Sequence, residues 1–354
     1  MLFRRCGDFL MGFYMTMPAG LLHFVMGTEF YVSGDAIDPS EPAIVVMNHP
    51  TRLDWMYWYT ALAKIHPQLL LSEKIVLKDT LKRLPGAGWA MSCAGYVFLR
   101  RKWEEDERAL SEATRYFRRM GLPYQLLLFP EGTTLDWDTL EKSDQFALKH
   151  RLPRYKRVLH PRTTGFVHLL WEMRREDYLG AVYDVTVAYP DGAVQYETDL
   201  MAGRIPKSVA FHVKRHGAHE LFQGLQEHAT DEDVKERATS WLNACWAVKE
   251  GLLQDFAASD KDGAPHGRYI KPHAQTNVLA VRWTGARFAF LFFGMLFWVA
   301  VIGSCFLLTL LNFWAKLVAM LGVVVYLYLA YAHGGIDLFA LKRALELQER
   351  RRPD

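Results

Sequence analysis

Two apolar runs near the C-terminus constrain this chain more than anything else in it. No charged residue occurs from Phe288 to Ala315, Lys316 follows, and a second apolar run extends from Leu317 to Ala332. The first run is long enough to cross a bilayer as a helix, and the second is at the short edge of that range. A spanning hairpin and a pair of segments dipping in from one face are both open. The short polar interval between the runs counts against a buried helix pair of a soluble domain. Arg282 and Arg287 precede the runs, Lys342, Arg343, Arg350, Arg351 and Arg352 follow them, and the loop between carries only Lys316. The positive-inside rule then puts both ends in the cytosol. Another apolar stretch, Phe9 to Val32, follows Arg4 and Arg5 and is broken by Pro18, His23 and Glu29. It lacks a clear small-residue cleavage site. It reads as a retained membrane-associated segment, kinked or re-entrant, rather than a signal peptide.

Four segments follow: a membrane-associated N-terminus (1–33), a polar domain (34–275), a transmembrane or re-entrant hairpin (276–335) and a basic cytosolic tail (336–354). The polar domain reads as α/β, a mixed or parallel sheet flanked by helices. Short apolar runs mark strands at Ala43–Met47, Tyr96–Leu99, Tyr124–Phe129 and Val182–Tyr189, and Val209–Val213 alternates as an edge or half-exposed strand does. Helical patterns lie at Trp55–Lys64, Glu104–Met120, Phe166–Arg175 and from Thr230 to about Phe256. Asp260 to His273, rich in Gly, Pro and charge, reads as a linker. The net charge of +3 gives no polyanion-binding signal. Four scattered cysteines without a CxxC pair argue against a disulfide framework or a zinc site.

Within that domain, Asn48-His49-Pro50-Thr51-Arg52-Leu53-Asp54 joins an apolar strand to a helix. With His49 in the turn and Asp54 in the first helical turn, the two side chains can meet. An Asp accepting from one imidazole nitrogen fixes the tautomer and leaves the other nitrogen as a base. Three further blocks sit where strands end: Gly95 to Arg101, which delivers an arginine; Phe129-Pro130-Glu131-Gly132-Thr133-Thr134; and Val158 to Gly165, with Arg162 among hydroxyls. Gly and Thr amides suit an anion, and strand ends are where open α/β sheets bind ligands.

These blocks resemble the glycerolipid (1-acylglycerol-phosphate) acyltransferase family. His49 and Asp54 meet its His-x4-Asp pattern. Gly95, Phe98 and Arg101 meet its second block, Phe129 to Thr133 its Phe-Pro-Glu-Gly-Thr block, and Leu159 to Arg162 its proline-containing fourth. Leu77-Lys78-Asp79, Pro85 to Met91, Arg101-Lys102-Trp103, His160 to Phe166 and Thr186 to Pro190 are similar to the lysocardiolipin acyltransferase branch. Thr134 stands where the family often has Arg or Ser. The resemblance implies direct acyl transfer from acyl-CoA, a co-substrate and not a bound cofactor, to a lysophospholipid hydroxyl. His49 would be the general base, oriented by Asp54. Arg101, Glu131, Gly132 and Thr133 would bind the glycerol-phosphate part, with Arg162 on a phosphate or on CoA, and Glu131 alternatively holding Arg101 or the loop. The branch implies anionic acceptors of the lysocardiolipin, lysophosphatidylglycerol or lysophosphatidylinositol type. The expected membrane is that of the endoplasmic reticulum, with a mitochondria-associated membrane as the alternative, and the charge pattern has the domain facing the cytosol.

Acylation of lysophosphatidic acid, hydrolysis of acyl-CoA and a silent lipid-binding role are the alternatives. His212, His216 and His219 have metal-like spacing on a strand-like stretch that would not gather them, so no metal is expected. Ser92 and Cys93 lack the glycines of a nucleophile elbow. No Walker loop or dinucleotide fingerprint occurs, and the basic residues do not form a nucleic-acid platform.

Overall fold

Short, largely buried segments build seven strands: β1 (Glu29–Gly34), β2 (Ala43–Met47), β3 (Glu73–Lys78), β4 (Val97–Leu99), β5 (Gln125–Leu128), β6 (Ala181–Ala188) and β7 (Ser208–Gly217). The structure is a computed structural model. It describes residues 2–84, 86–223, 230–259, 269–270, 280–336, 338–339 and 343. The strands form one mixed sheet in the order β1-β7-β6-β2-β5-β3-β4. Five of them, β6, β2, β5, β3 and β4, run parallel. β7 is antiparallel to β6, and β1 pairs parallel with β7.

The helices are α1 (Leu2–Tyr14), α2 (Thr16–Gly20), α3 (Asp54–Ile65), α4 (Leu69–Ser72), α5 (Ala87–Cys93), α6 (Trp103–Met120), α7 (Trp137–His150), α8 (Thr163–Arg175), α9 (Glu197–Met201), α10 (Ala218–Leu221), α11 (Asp231–Ser259), α12 (Gly285–Leu311) and α13 (Phe313–His333). All of β2 and β6 is buried, which a sheet covered on both faces requires. Ala43, Val45 and Met47 point into a core shared with α2 and α3. Ile44 and Val46 point into the opposite core, with α6, α8 and α11. As expected of a solvated outer helix, α6 buries only Asp106, Leu110, Thr114 and Phe117.

The N-terminal segment needs correction. Its helix kinks between Tyr14 and Thr16, as Pro18 demands, and continues through a π-helical turn, Leu21–Val25. Residues 29–33 then belong to β1, so the expected border after residue 33 cuts through a strand. The burial of Phe30 and Val32 was hidden inside a longer apolar stretch. The far border shifts too. Ala280 bridges Ser33, and Val281 N–H donates to Val32 O, which covers the free edge of β1. Strand β3 and helix α7 were not expected at all.

At the C-terminus α12 and α13 are, at about 40 and 31 Å, long enough to cross a hydrocarbon layer of about 30 Å. The break falls at Asn312, whose side chain accepts from the Trp314 and Ala315 amides. Lys316 therefore lies in the first turn of α13 and not in a loop. Only Leu291, Gly294 and Met295 of α12 are buried, and no residue of α13 is. A Cβ on Gly294 would meet Thr16 Oγ1 at 2.5 Å, so α12 approaches α2 at backbone distance. The chain returns along α13 to stack Tyr326 on Trp89 of α5. The expected linker lies outside the described residues apart from Tyr269 and Ile270. So does the tail apart from Ile336, Leu338, Phe339 and Arg343.

Candidate active site

Leaving β2, the chain enters a hydrogen-bonded turn. Asn48 is buried and bridges to β6: its Nδ2 donates to Val187 O at 3.0 Å, and its Oδ1 accepts from Val187 N–H at 2.8 Å. His49 follows at the strand's C-terminal end, and Asp54 opens α3. Their side chains meet: His49 Nδ1 lies 2.8 Å from Asp54 Oδ2. The same oxygen accepts from the Thr51 amide at 3.1 Å, and Tyr189 OH donates to Oδ1. Burial pushes the Asp54 carboxyl above its ordinary value, and the bonds from His49, Tyr189 and Thr51 pull against it. The Thr51 amide and the Tyr189 hydroxyl donate to this carboxyl and favour its ionised form; facing a carboxylate, Nδ1 carries the imidazole proton and Nε2 is left as acceptor. The His49 ring stacks on Phe129, centroids 4.0 Å apart, and 17% of the side chain meets solvent while Asp54 meets none.

The end of β5 supplies the floor. Glu131 is buried at 2% exposure, and its Oε1 accepts from His49 N–H and from the Trp246 indole, both at 3.3 Å. Burial pushes its carboxyl up to about 8, against the Leu159 and His49 amides and the Trp246 indole. Glu131 is therefore largely uncharged at neutral pH and lies beneath the His49 loop. It holds the loop, one of the two alternatives expected of it, while Arg101 reaches Gly132 O instead. The Leu135 amide ties down His49 O at 2.9 Å.

Gly132 sits at φ 71°, a left-handed conformation that suits glycine, and a Cβ there would meet Arg162 Cδ at 3.3 Å. Its carbonyl accepts from Arg101 Nη2 at 2.7 Å. Two expected arginines thus converge on one peptide. Arg101 does not join its neighbours in a solvated basic cluster. Arg100 and Lys102 both pair with Glu105, whereas Arg101, at φ 63°, turns the other way and has no acidic partner among the described residues. Thr133 is half-buried beside Gly132. Sequence reasoning missed Trp246 as a site residue and gave Tyr189 no role. Both lie more than a hundred residues from the groups they touch, and no local pattern signals such contacts.

The other chemical look-alikes separate. His212 Nδ1 meets Ser33 Oγ at 3.1 Å, His216 lies edge-on to Trp241, and His219 sits in α10. Asp184, His216 and Cys245 do lie close together, but Lys249 Nζ already forms an ion pair with Asp184 there.

The acyltransferase family model matches residues 29–190, from the first residue of β1 to just past Tyr189. Lysophosphatidylinositol acyltransferase 10 of Caenorhabditis elegans is 40% identical over 96% of this chain and 84% of its own length. Lysocardiolipin acyltransferase 1 of Danio rerio is 41% identical over 72% of this chain and 62% of its own. That of Gallus gallus is 34% identical over 96% of this chain and 85% of its own. Similarity that runs through the His49–Asp54 turn, the sheet and the apolar C-terminus together leaves one conclusion: the chain belongs to the acyltransferase family and is an O-acyltransferase.

Proposed function

We propose that this chain is a membrane-bound lysophospholipid acyltransferase that moves a fatty acyl group from acyl-CoA to a hydroxyl of an anionic lysophospholipid. The observation that carries the reading is the Asp54-held imidazole of His49, beside a peptide on which Arg101 and Arg162 converge. His49 Nε2 takes the proton of the acceptor hydroxyl as that oxygen attacks the thioester carbonyl. The tetrahedral adduct collapses, the C–S bond breaks, and the departing CoA sulfur receives the proton from His49. Asp54 stays ionised and stabilises the imidazolium between the two transfers. The arginines hold the glycerol-linked phosphate, which planar guanidinium groups can grip with two bonds. The names of the relatives, acting on lysophosphatidylinositol and lysocardiolipin, support an anionic acceptor. Helices α12 and α13 anchor the domain in the endoplasmic reticulum membrane, with the site on the cytosolic side, where the basic residues Arg282 and Arg287 favour it.

Purified protein in detergent, one acyl-CoA and a panel of lysophospholipids test this by CoA release. Release that depends on the acceptor, and that drops on the order of a hundredfold or more in His49→Ala, is expected. Equal rates with and without acceptor would make the chain a hydrolase, and an unimpaired His49→Ala would remove the mechanism.

A further inference from the structure

The segment after β6 lies along the catalytic turn and grips it at four successive places. Tyr189 OH donates to Asp54, and Thr51 Oγ1 donates to Val194 O. Gln195 Nε2 donates to Pro50 O at 3.0 Å, and the Arg52 guanidinium lies 5.2 Å from the centre of the Tyr196 ring. The first three contacts are buried or half-buried and hold the turn. The fourth is different, because Arg52 is exposed.

The backbone that carries the Tyr196 ring is itself tied down. The Tyr196 amide donates to Asp199 Oδ2 at 3.1 Å, and Arg204 Nε holds Asp199 Oδ1 at the same distance. Arg52 therefore rests on a built shelf, with its charge neutralised by no acidic group among the described residues. Arg100, Lys102, Arg204 and Arg215, by contrast, each have a carboxylate partner. A guanidinium stacked on an aromatic face keeps its in-plane N–H fork open for an oxyanion. Arg52 also belongs to the loop that carries His49, whereas Arg101 and Arg162 lie around Gly132.

We propose that Arg52, backed by Tyr196, is a second phosphate subsite of the acceptor, which selects lysolipids carrying a phosphate beyond the one attached to the acylated glycerol. The inference rests on the acyltransferase reading above and adds to it a residue that chooses among acceptors. CoA also carries phosphates. The acceptor is the favoured source because Arg52 belongs to the turn that positions the base for the acceptor hydroxyl.

Initial rates with monolysocardiolipin, which has two phosphates, and lysophosphatidylglycerol, which has one, give the test. In Arg52→Ala the ratio of kcat/KM for the two-phosphate over the one-phosphate acceptor falls about tenfold, through KM, with the KM for acyl-CoA unchanged. Arg52→Lys keeps the charge but not the fork, and Tyr196→Ala removes the shelf but not the charge. Both lower the ratio by a smaller factor, and both report even where Arg52→Ala fails to fold. An unchanged ratio in all three variants overturns the proposal. So does a rise in the KM for acyl-CoA, or a wild-type enzyme that acylates only the one-phosphate lipid. Failure of the underlying reading looks different: wild type then shows no acceptor-dependent CoA release with either lipid, and the subsite falls with it.

Discussion

The hydroxyl of Tyr189, at the end of β6, donates to Asp54 Oδ1, the carboxylate oxygen that His49 does not use. The carboxylate is thus held from both sides, by the His49 imidazole and by a phenol 135 residues away. Tyr189 also packs edge-on against Tyr57, ring centres 5.7 Å apart, so Phe in its place keeps the packing and loses only the donor. Tyr189→Phe is expected to lower kcat about tenfold with KM for both substrates within about twofold, the loss of one charge-assisted bond that positions the base. Steady-state kinetics decide it. A KM effect without a kcat effect would mean that Tyr189 shapes the pocket instead of aligning Asp54.

Arg101 and Arg100 are neighbours in sequence and opposites in placement. Arg100 is spent on Glu105, while Arg101 reaches across to Gly132 O. Arg101→Ala is expected to raise the acceptor KM about ten- to a hundredfold, and Arg100→Ala to change it less than about twofold. Equal effects of the two substitutions on acceptor KM would return Arg101 to a general basic surface.

Much of the domain could be read from the chain because β2, β4, β5 and β6 are short apolar runs, and each lies within a residue or so of its expected bounds. Strand β3 escaped because it opens on Glu73 and Lys74, both fully buried. Glu73 accepts from the Trp58 indole and Lys74 pairs with Asp8 of α1, contacts that no local pattern announces. Helix α7 escaped because it buries only Ala147 and so has no apolar stripe. At the site, the His49–Asp54 pairing was legible in a strand-turn-helix spacing. For Glu131 the chain left open whether it meets substrate, Arg101 or the loop, because its bond to the His49 amide depends on β5 lying beside β2. The grip of residues 189–196 on the turn depends on β6 lying beside β2, which is a property of the sheet order.

Glu131 makes stability depend on pH. Its carboxyl titrates at about 8 in the folded chain against an ordinary value of 4.5. The folded state therefore binds the proton more tightly. The stability that this contributes is complete below about pH 4.5 and is lost as pH rises through about 8. Glu131→Gln does not titrate and escapes the loss. The melting temperature of Glu131→Gln minus that of wild type is expected to increase steadily from pH 5 to pH 8 and then level off. A difference that stays flat across that range would place the Glu131 carboxyl back among ordinary carboxylates.

Lys249 of α11 is fully enclosed, its ammonium bonded to Val185 O and Thr186 Oγ1 and paired with Asp184 of β6. An ion pair this deep adds little over an apolar pair of similar size, but removing one partner strands the other charge. Lys249→Met keeps the aliphatic volume beside Trp246 and leaves Asp184 without a counter-charge. It is expected to cost about 3–5 kcal/mol, read as a large fall in melting temperature in detergent. Asp184→Asn combined with Lys249→Met removes both charges and is expected to recover most of that loss, a departure from additivity that marks a coupled pair. If the double variant melts no higher than the single, the coupling is absent. Lys249 then acts mainly through its bonds to the Val185 carbonyl and the Thr186 hydroxyl.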